Sequence, residues 1–287
     1  MTAIWKREIR AYFLSPVGYI FMGFFLLLSG FFFAVTNLLP ANPNYTGVLG
    51  DITFVFLFLV PILTMRLLSE EVGEKTDQLL LTSPLRVFDI VLGKYLAAVT
   101  VFLLTLLITC IYPFILSFFG SIAVWEITGG YIGLFLLGSA FIAVGLFVSS
   151  LTGNQLIAAV ITFSALLLMW IIDWIIQGVP TDKVSGLVFA GIIVAGLALL
   201  VYYSIRNLYI SIAVAVGGAA VITIVHLLNP SLYSGFIVRF LEWFSLLQRY
   251  QEFHMGVLSL SPVIYYLSFS FAFLFLTTRV IEKRRWS

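Results

Sequence analysis

Charge is the scarcest property of this sequence. Only 10% of its 287 residues are Asp, Glu, Lys or Arg, against about 25% in soluble domains. Fifteen basic and 13 acidic side chains cannot coat a globule of 32.0 kDa, so a water-soluble domain is excluded. Cysteine is nearly absent as well. Cys110 stands alone, and His226 and His254 are the two histidines. That composition rules out a disulfide framework and any metal cluster built from Cys and His within the chain. Disorder is excluded from the opposite direction: 28 Phe, 13 Tyr and 6 Trp are far too many for a segment that cannot bury apolar surface. Apolar sequence is what the chain has in plenty, with 62% hydrophobic residues and a mean hydropathy of +1.13. It reads as an all-α polytopic membrane protein, a single membrane domain over 1–287.

A span needs about 20 apolar residues to cross about 30 Å of hydrocarbon. The stretches free of Asp, Glu, Lys and Arg are 11–50, 52–65, 95–125, 127–172, 184–205, 207–238 and 253–278. These are solid apolar runs, without the alternation of a transmembrane β-strand, so the spans are helices. The run 127–172 would be roughly 69 Å long as one helix and must fold back. Ser149-Ser150-Leu151-Thr152-Gly153-Asn154-Gln155 marks the turn. Eight spans follow, near 17–38, 49–68, 90–118, 130–150, 155–176, 185–204, 207–228 and 261–280. Pro113 is expected to bend the third.

Basic residues favour the cytosolic side of short loops. With both termini in the cytosol, 12 of the 15 basic residues fall inside, and only Lys183, Arg239 and Arg249 fall outside. Residues 1–16 read as an interfacial helix. Ile4, Trp5, Ile9, Tyr12 and Phe13 would lie among headgroups while Lys6, Arg7 and Arg10 face water. The extracytoplasmic segment 229–260 reads as an amphipathic helix on the outer surface.

Ionisable residues at the centres of spans usually mark a pathway or a relay, and these spans have almost none. Asp51, Asp173, Arg66 and His226 fall near span ends, where an interfacial position is the expectation. An ion-coupled transporter or an intramembrane hydrolase therefore finds no machinery here. Nor does the chain hold a nucleotide site. Gly73-Glu74-Lys75-Thr76 lacks the upstream glycine of a phosphate-binding loop, and Gly93-Lys94-Tyr95 fails at its last position. Gly217-Gly218-Ala219-Ala220 would allow two helices to approach closely, but ordinary packing is the expectation.

One polar stretch stands out, at 66–94. Leu68, Val72 and Leu79 recur at helical spacing, with Glu70, Glu71, Glu74, Asp77 and Gln78 opposite them, so an amphipathic cytosolic helix is expected. Ser83 and Pro84 then suit the cap and first turn of the next helix. Leu79-Leu80-Leu81 is an odd choice for a loop that touches only water.

These residues carry a resemblance. Ser69-Glu70-Glu71, then Thr76, then Leu79-Leu80-Leu81-Thr82-Ser83-Pro84-Leu85, with Gly93-Lys94 further on, resembles the permeases of ABC-2 type transporters. The similarity is greatest to the gliding-motility and copper-site-maturation branch. Three other places agree: Ile4-Trp5-Lys6-Arg7-Glu8 through Tyr19, Gly145-Leu146-Phe147 with the 149–159 turn, and Tyr265-Tyr266-Leu267-Ser268 through Val280. The resemblance implies a transport subunit of the bacterial cytoplasmic membrane that is not itself an enzyme. Two permeases, copies or relatives, would pair with two separate ATPase subunits that bind the ATP and Mg; nucleic acid has no part in it. By position, Glu70, Glu71, Gly73, Thr76, Leu79, Leu80, Thr82, Ser83 and Pro84 would form the coupling element, within a cytosolic segment at 69–89, that docks on the ATPase. The departure lies at 181–231, where two spans are added to the usual six. The alternative is a membrane scaffold for a larger ATPase-linked machine, without translocation.

Overall fold

The computed structural model describes residues 1–76, 86–257 and 259–286, and no β-strand occurs among them. The helices are α1 (Thr2–Leu14), α2 (Pro16–Phe33, extended by a π-helical turn to Leu38), α3 (Thr46–Thr64) and α4 (Ser69–Gly73). After the undescribed 77–85 come α5 (Val87–Thr109), α6 (Ile111–Leu116), α7 (Val124–Leu151), α8 (Gln155–Gly178), α9 (Lys183–Ile205) and α10 (Leu208–Leu228). A 3-10 turn (Pro230–Tyr233), α11 (Phe236–Phe244), α12 (Leu246–His254) and α13 (Leu260–Trp286) complete the chain. Eight stretches are long and apolar enough to cross a bilayer: Pro16–Leu38, Thr46–Gly73, Val87–Leu116, Val124–Leu151, Gln155–Gly178, Lys183–Tyr203, Leu208–Leu228 and Leu260–Arg284. These are the eight expected spans, each shifted by a few residues at its ends. The chain is an all-α multi-pass membrane protein.

It divides into two compact units, Met1–Leu168 with Leu246–Ser287, and Met169–Ser245. In the first unit α7 and α3 are central: 78% and 67% of their apolar windows are buried, against 28% for the first span. Phe25, Phe56, Phe102 and Phe141 fill the space between the helices, with Phe56 and Phe102 edge to face at 5.4 Å. Gly138 makes this possible. A Cβ there would sit 2.5 Å from the Phe102 ring, so only glycine lets α5 lie so near α7. Hydroxyls inside the helices are satisfied by their own backbone. Thr64, Thr105 and Thr277 each donate to the carbonyl four residues earlier, at 2.7–2.8 Å.

The bend expected at Pro113 lies slightly earlier, at Cys110. Proline has no N–H for the Thr109 carbonyl and its ring crowds that turn, so the third span breaks into α5 and α6. The segment 229–260 departs from expectation. It is a 3-10 turn and two nine-residue helices instead of one surface helix. Moreover, α12 buries Leu246, Tyr250 and Phe253 in the first unit. The Tyr266 hydroxyl donates to the Leu246 carbonyl at 2.6 Å, and Arg249 stacks 3.9 Å from the Tyr265 ring. One face of α12 is therefore core, although its composition reads as surface.

In the second unit α9 and α10 form an antiparallel pair. The Ser211 hydroxyl donates across it to the Ala198 carbonyl at 2.6 Å. A Cβ on Gly218 would strike Val194, so at that glycine the two helices approach more closely than the ordinary packing expected. Asn207 caps α10 by accepting from the Tyr209 amide at 3.0 Å. The expected insertion at 181–231 lies wholly within this unit.

Asp182 caps α9. Its carboxylate accepts from the Ser185 amide at 3.0 Å and from the Ser185 hydroxyl at 2.7 Å. Those bonds hold its pKa below the usual 3.8, since they favour the charged form. A group depressed in the folded state contributes stability above its unfolded pKa and loses it as the pH falls. The first turn of α9 is thus expected to fray below about pH 4, seen as faster hydrogen exchange at Ser185. In Asp182→Asn the protection should become independent of pH over that range.

Candidate functional site

The three N-terminal segments singled out in the sequence meet at one end of the first unit. They are α1, the acidic segment beginning at Arg66, and the junction between α7 and α8. The centre of the assembly is Lys94, on the second turn of α5, only 2% exposed. Its ammonium lies 2.9 Å from Glu71 Oε1 and 3.3 Å from Glu8 Oε1. Arg7 closes the circuit, with Nη2 at 2.6 Å from the same Glu8 oxygen and 3.0 Å from Glu71. Four charges of alternating sign thus form a ring of zero net charge. It joins α1, α4 and α5.

Such a ring is permissible near a membrane surface because every charge in it has two opposite neighbours. Buried ion pairs gain little net stability, but they fix register, since any mismatch strands a charge. For Arg7, partial burial opposes the charge. The hydrogen bonds and field of Glu8 and Glu71 outweigh it and raise the guanidinium pKa.

α1 is held along its length. A Cβ on Gly93 would meet Ile4 at 3.0 Å, and Trp5 Nε1 donates to Thr100 Oγ1 at 3.1 Å. The Tyr12 hydroxyl donates to the Leu63 carbonyl at 2.8 Å. Burial drives the Tyr12 pKa up, because a phenolate there would be desolvated. Ile4 and Tyr12 are buried in protein, Trp5, Ile9 and Phe13 keep part of their surface exposed, and Arg7 faces carboxylates as well as solvent. Glu8, Tyr12, Ser15, Arg66 and Glu70 line a cavity of about 60 Å³ beside it.

The root of the acidic segment is clamped to α7. The turn at 65–68 interrupts the hydrogen-bond ladder between α3 and α4 and leaves amides without helical partners. Ser149, fully buried, supplies them. Its hydroxyl accepts from the Leu68 and Ser69 amides at 3.1 and 3.0 Å and lies 3.2 Å from the Met65 carbonyl as donor. Ser149 and Ser150 belong to α7, not to a turn, and the break between α7 and α8 is confined to Thr152–Asn154. At the far end of α4, a Cβ on Gly73 would stand 2.5 Å from the Gly153 carbonyl oxygen. Two backbones meet there with no room for a side chain.

Of the expected coupling residues, Glu70 forms a two-pronged pair with Arg66 at 2.6 and 2.9 Å, and Glu71 belongs to the Lys94 ring. Gly73 and Thr76 are exposed. Leu79, Leu80, Thr82, Ser83 and Pro84 lie outside the described residues. Of the amphipathic helix expected across 68–79, α4 is the described part, Ser69–Gly73; 77–79 lie outside the described residues. The Thr76 amide donates to the Glu71 carbonyl at 3.0 Å and the Lys75 amide to Val72 at 3.3 Å. Lys75 has φ +57°, the left-handed residue of a Schellman cap. α4 is five residues long and ends in a turn.

Sequence reasoning missed Glu8 and Lys94 as partners. Their signal was a lone carboxylate in a basic segment and a lysine set seven residues into an apolar helix. In comparisons with known proteins, no family model matches the chain and no curated protein matches it either. What stands without them is the class: a multi-pass helical membrane protein with a clamped acidic element at one end.

Proposed function

We propose that the chain is the membrane-spanning permease subunit of an ATP-driven transporter of the ABC-2 type, in the bacterial cytoplasmic membrane with both termini in the cytosol. Two permeases would pair with two separate ATPase subunits, which bind the ATP and Mg. One observation carries the reading. The three N-terminal segments on which the resemblance rests are far apart in sequence, yet they converge on α4 through the Lys94 ring, Ser149 and the Gly73–Gly153 contact.

That arrangement suits a force-transmitting element. α4 has short polar arms to three other helices, so a push on its exposed end is passed to α1, α5 and α7 as a rigid displacement, as two-state switching requires. The exposed stretch Gly73–Thr76 leads directly into Leu79 and Leu80, whose apolar character a partner would bury. Replacing both leucines with Asp is expected to reduce co-purification with the ATPase and its stimulation at least tenfold, with helix content unchanged. Undiminished stimulation in that variant would remove the docking role.

A further inference from the structure

The second unit contains a cavity of about 620 Å³, within the range of small-molecule sites. Ile193 and Val194 of α9, Val221 and Val225 of α10, and Phe236 and Phe240 of α11 form its walls. Phe189 lies 5.4 Å from Phe240 and 6.2 Å from Phe236 and holds α11 against α9. Its α9 lining, Ala190, Ile193 and Val194, covers about 6 Å along that helix.

The lining offers almost nothing to a polar solute. The Tyr233 hydroxyl already donates to the Ile222 carbonyl at 2.9 Å. One cation breaks the apolar surface. Arg239, exposed on α11, lines the cavity beside the exposed Trp243. Its Nη2 donates to the Ser234 carbonyl at 3.2 Å, and no carboxylate among the described residues forms an ion pair with it. A guanidinium carries five N–H donors in a planar fork that matches phosphate oxygens. The remaining donors have a charge to find.

We infer that this cavity is a binding site for a phospholipid of the leaflet on the α11 side, with an acyl chain between α9 and α10 and its phosphate on Arg239. The two halves of the site are the two halves of that molecule: an apolar slot between α9 and α10, and a single cation beside the exposed Trp243, an aromatic suited to the headgroup level. A soluble phosphate compound would leave the slot empty, and a neutral lipid would leave the guanidinium unpaired. The inference does not depend on the permease reading, because it uses only the second unit's own residues.

The full-length chain, purified in detergent and stripped of lipid, can be titrated with phosphatidylglycerol and with diacylglycerol of the same chains. Native mass spectrometry reads the bound fraction. Phosphatidylglycerol should bind at least tenfold more tightly than diacylglycerol. Arg239→Gln should bring the two together, since an exposed residue can be changed without disturbing the fold. Val225→Trp should lower binding of both by filling the slot, and glycerol phosphate without chains should not compete. Equal binding of the two lipids to the unaltered chain, phosphatidylglycerol binding untouched by Arg239→Gln or by Val225→Trp, or competition by glycerol phosphate would each overturn the assignment.

Discussion

Lys94→Met is expected to destabilise the first unit by about 3–5 kcal/mol, the loss seen when one partner of a buried ion pair is removed. The ammonium is 2% exposed and lies between Glu8 and Glu71. Without it two carboxylates remain in a poorly hydrated space, and Arg7, half exposed, is the one cation left to serve both. They repel each other, and α1 and α4 have lost the cation that held them together. The triple variant Glu8→Gln, Glu71→Gln, Lys94→Met should recover most of that loss, because apolar or neutral replacement of a whole buried pair is often harmless. What it should not recover is the link between the elements: protease cleavage within α1 should stay faster than in the unaltered chain. Reversible unfolding in mixed micelles measures the stabilities. A single variant as stable as the parent would show that the ring holds nothing together.

The contrast between what the sequence shows and what the ring requires is instructive. Span number was legible because the bilayer imposes a length, and 127–172 cannot be one helix of that length. The turn that divides it was placed at the correct glycine and asparagine. The partners of a charge were not legible, because a sequence lists charges but not distances. Glu8 and Lys94 are 86 residues apart and meet only because α1 folds back along α5. Headgroups and protein interiors also accept the same residues, so the sequence could not show that Trp5 bonds Thr100 and Tyr12 bonds Leu63. α12 misled for the same reason. An amphipathic helix on the outer surface is the expectation for that segment, yet Phe253 packs into the first unit where Gly133 leaves space. The structure gives Glu70 and Glu71, expected as docking residues, partners within the chain: Arg66 for the first, Arg7 and Lys94 for the second.

Ser149→Ala should be costlier than any other single hydroxyl removal in α7. One oxygen serves the Leu68 amide, the Ser69 amide and the Met65 carbonyl, and the residue has no solvent exposure. A buried group left unsatisfied costs about 1–3 kcal/mol. Two stranded amides therefore predict a loss of about 2–6 kcal/mol by that rule, most of it concentrated in the turn between α3 and α4. Its neighbour is the control. Ser150 is equally buried, but its hydroxyl donates to the Phe147 carbonyl inside the same helix at 2.6 Å, so Ser150→Ala strands no amide and should cost under about 1 kcal/mol. Hydrogen exchange over residues 65–76 should accelerate strongly in the first variant and hardly in the second. The permease reading adds a consequence for the same pair. A loosened α4 can still be bound by the ATPase but cannot pass its displacement to α7, so Ser149→Ala should retain co-purification while losing stimulation. If both serine variants behave alike, the clamp on α4 lies elsewhere and the transmission route through α7 must be abandoned.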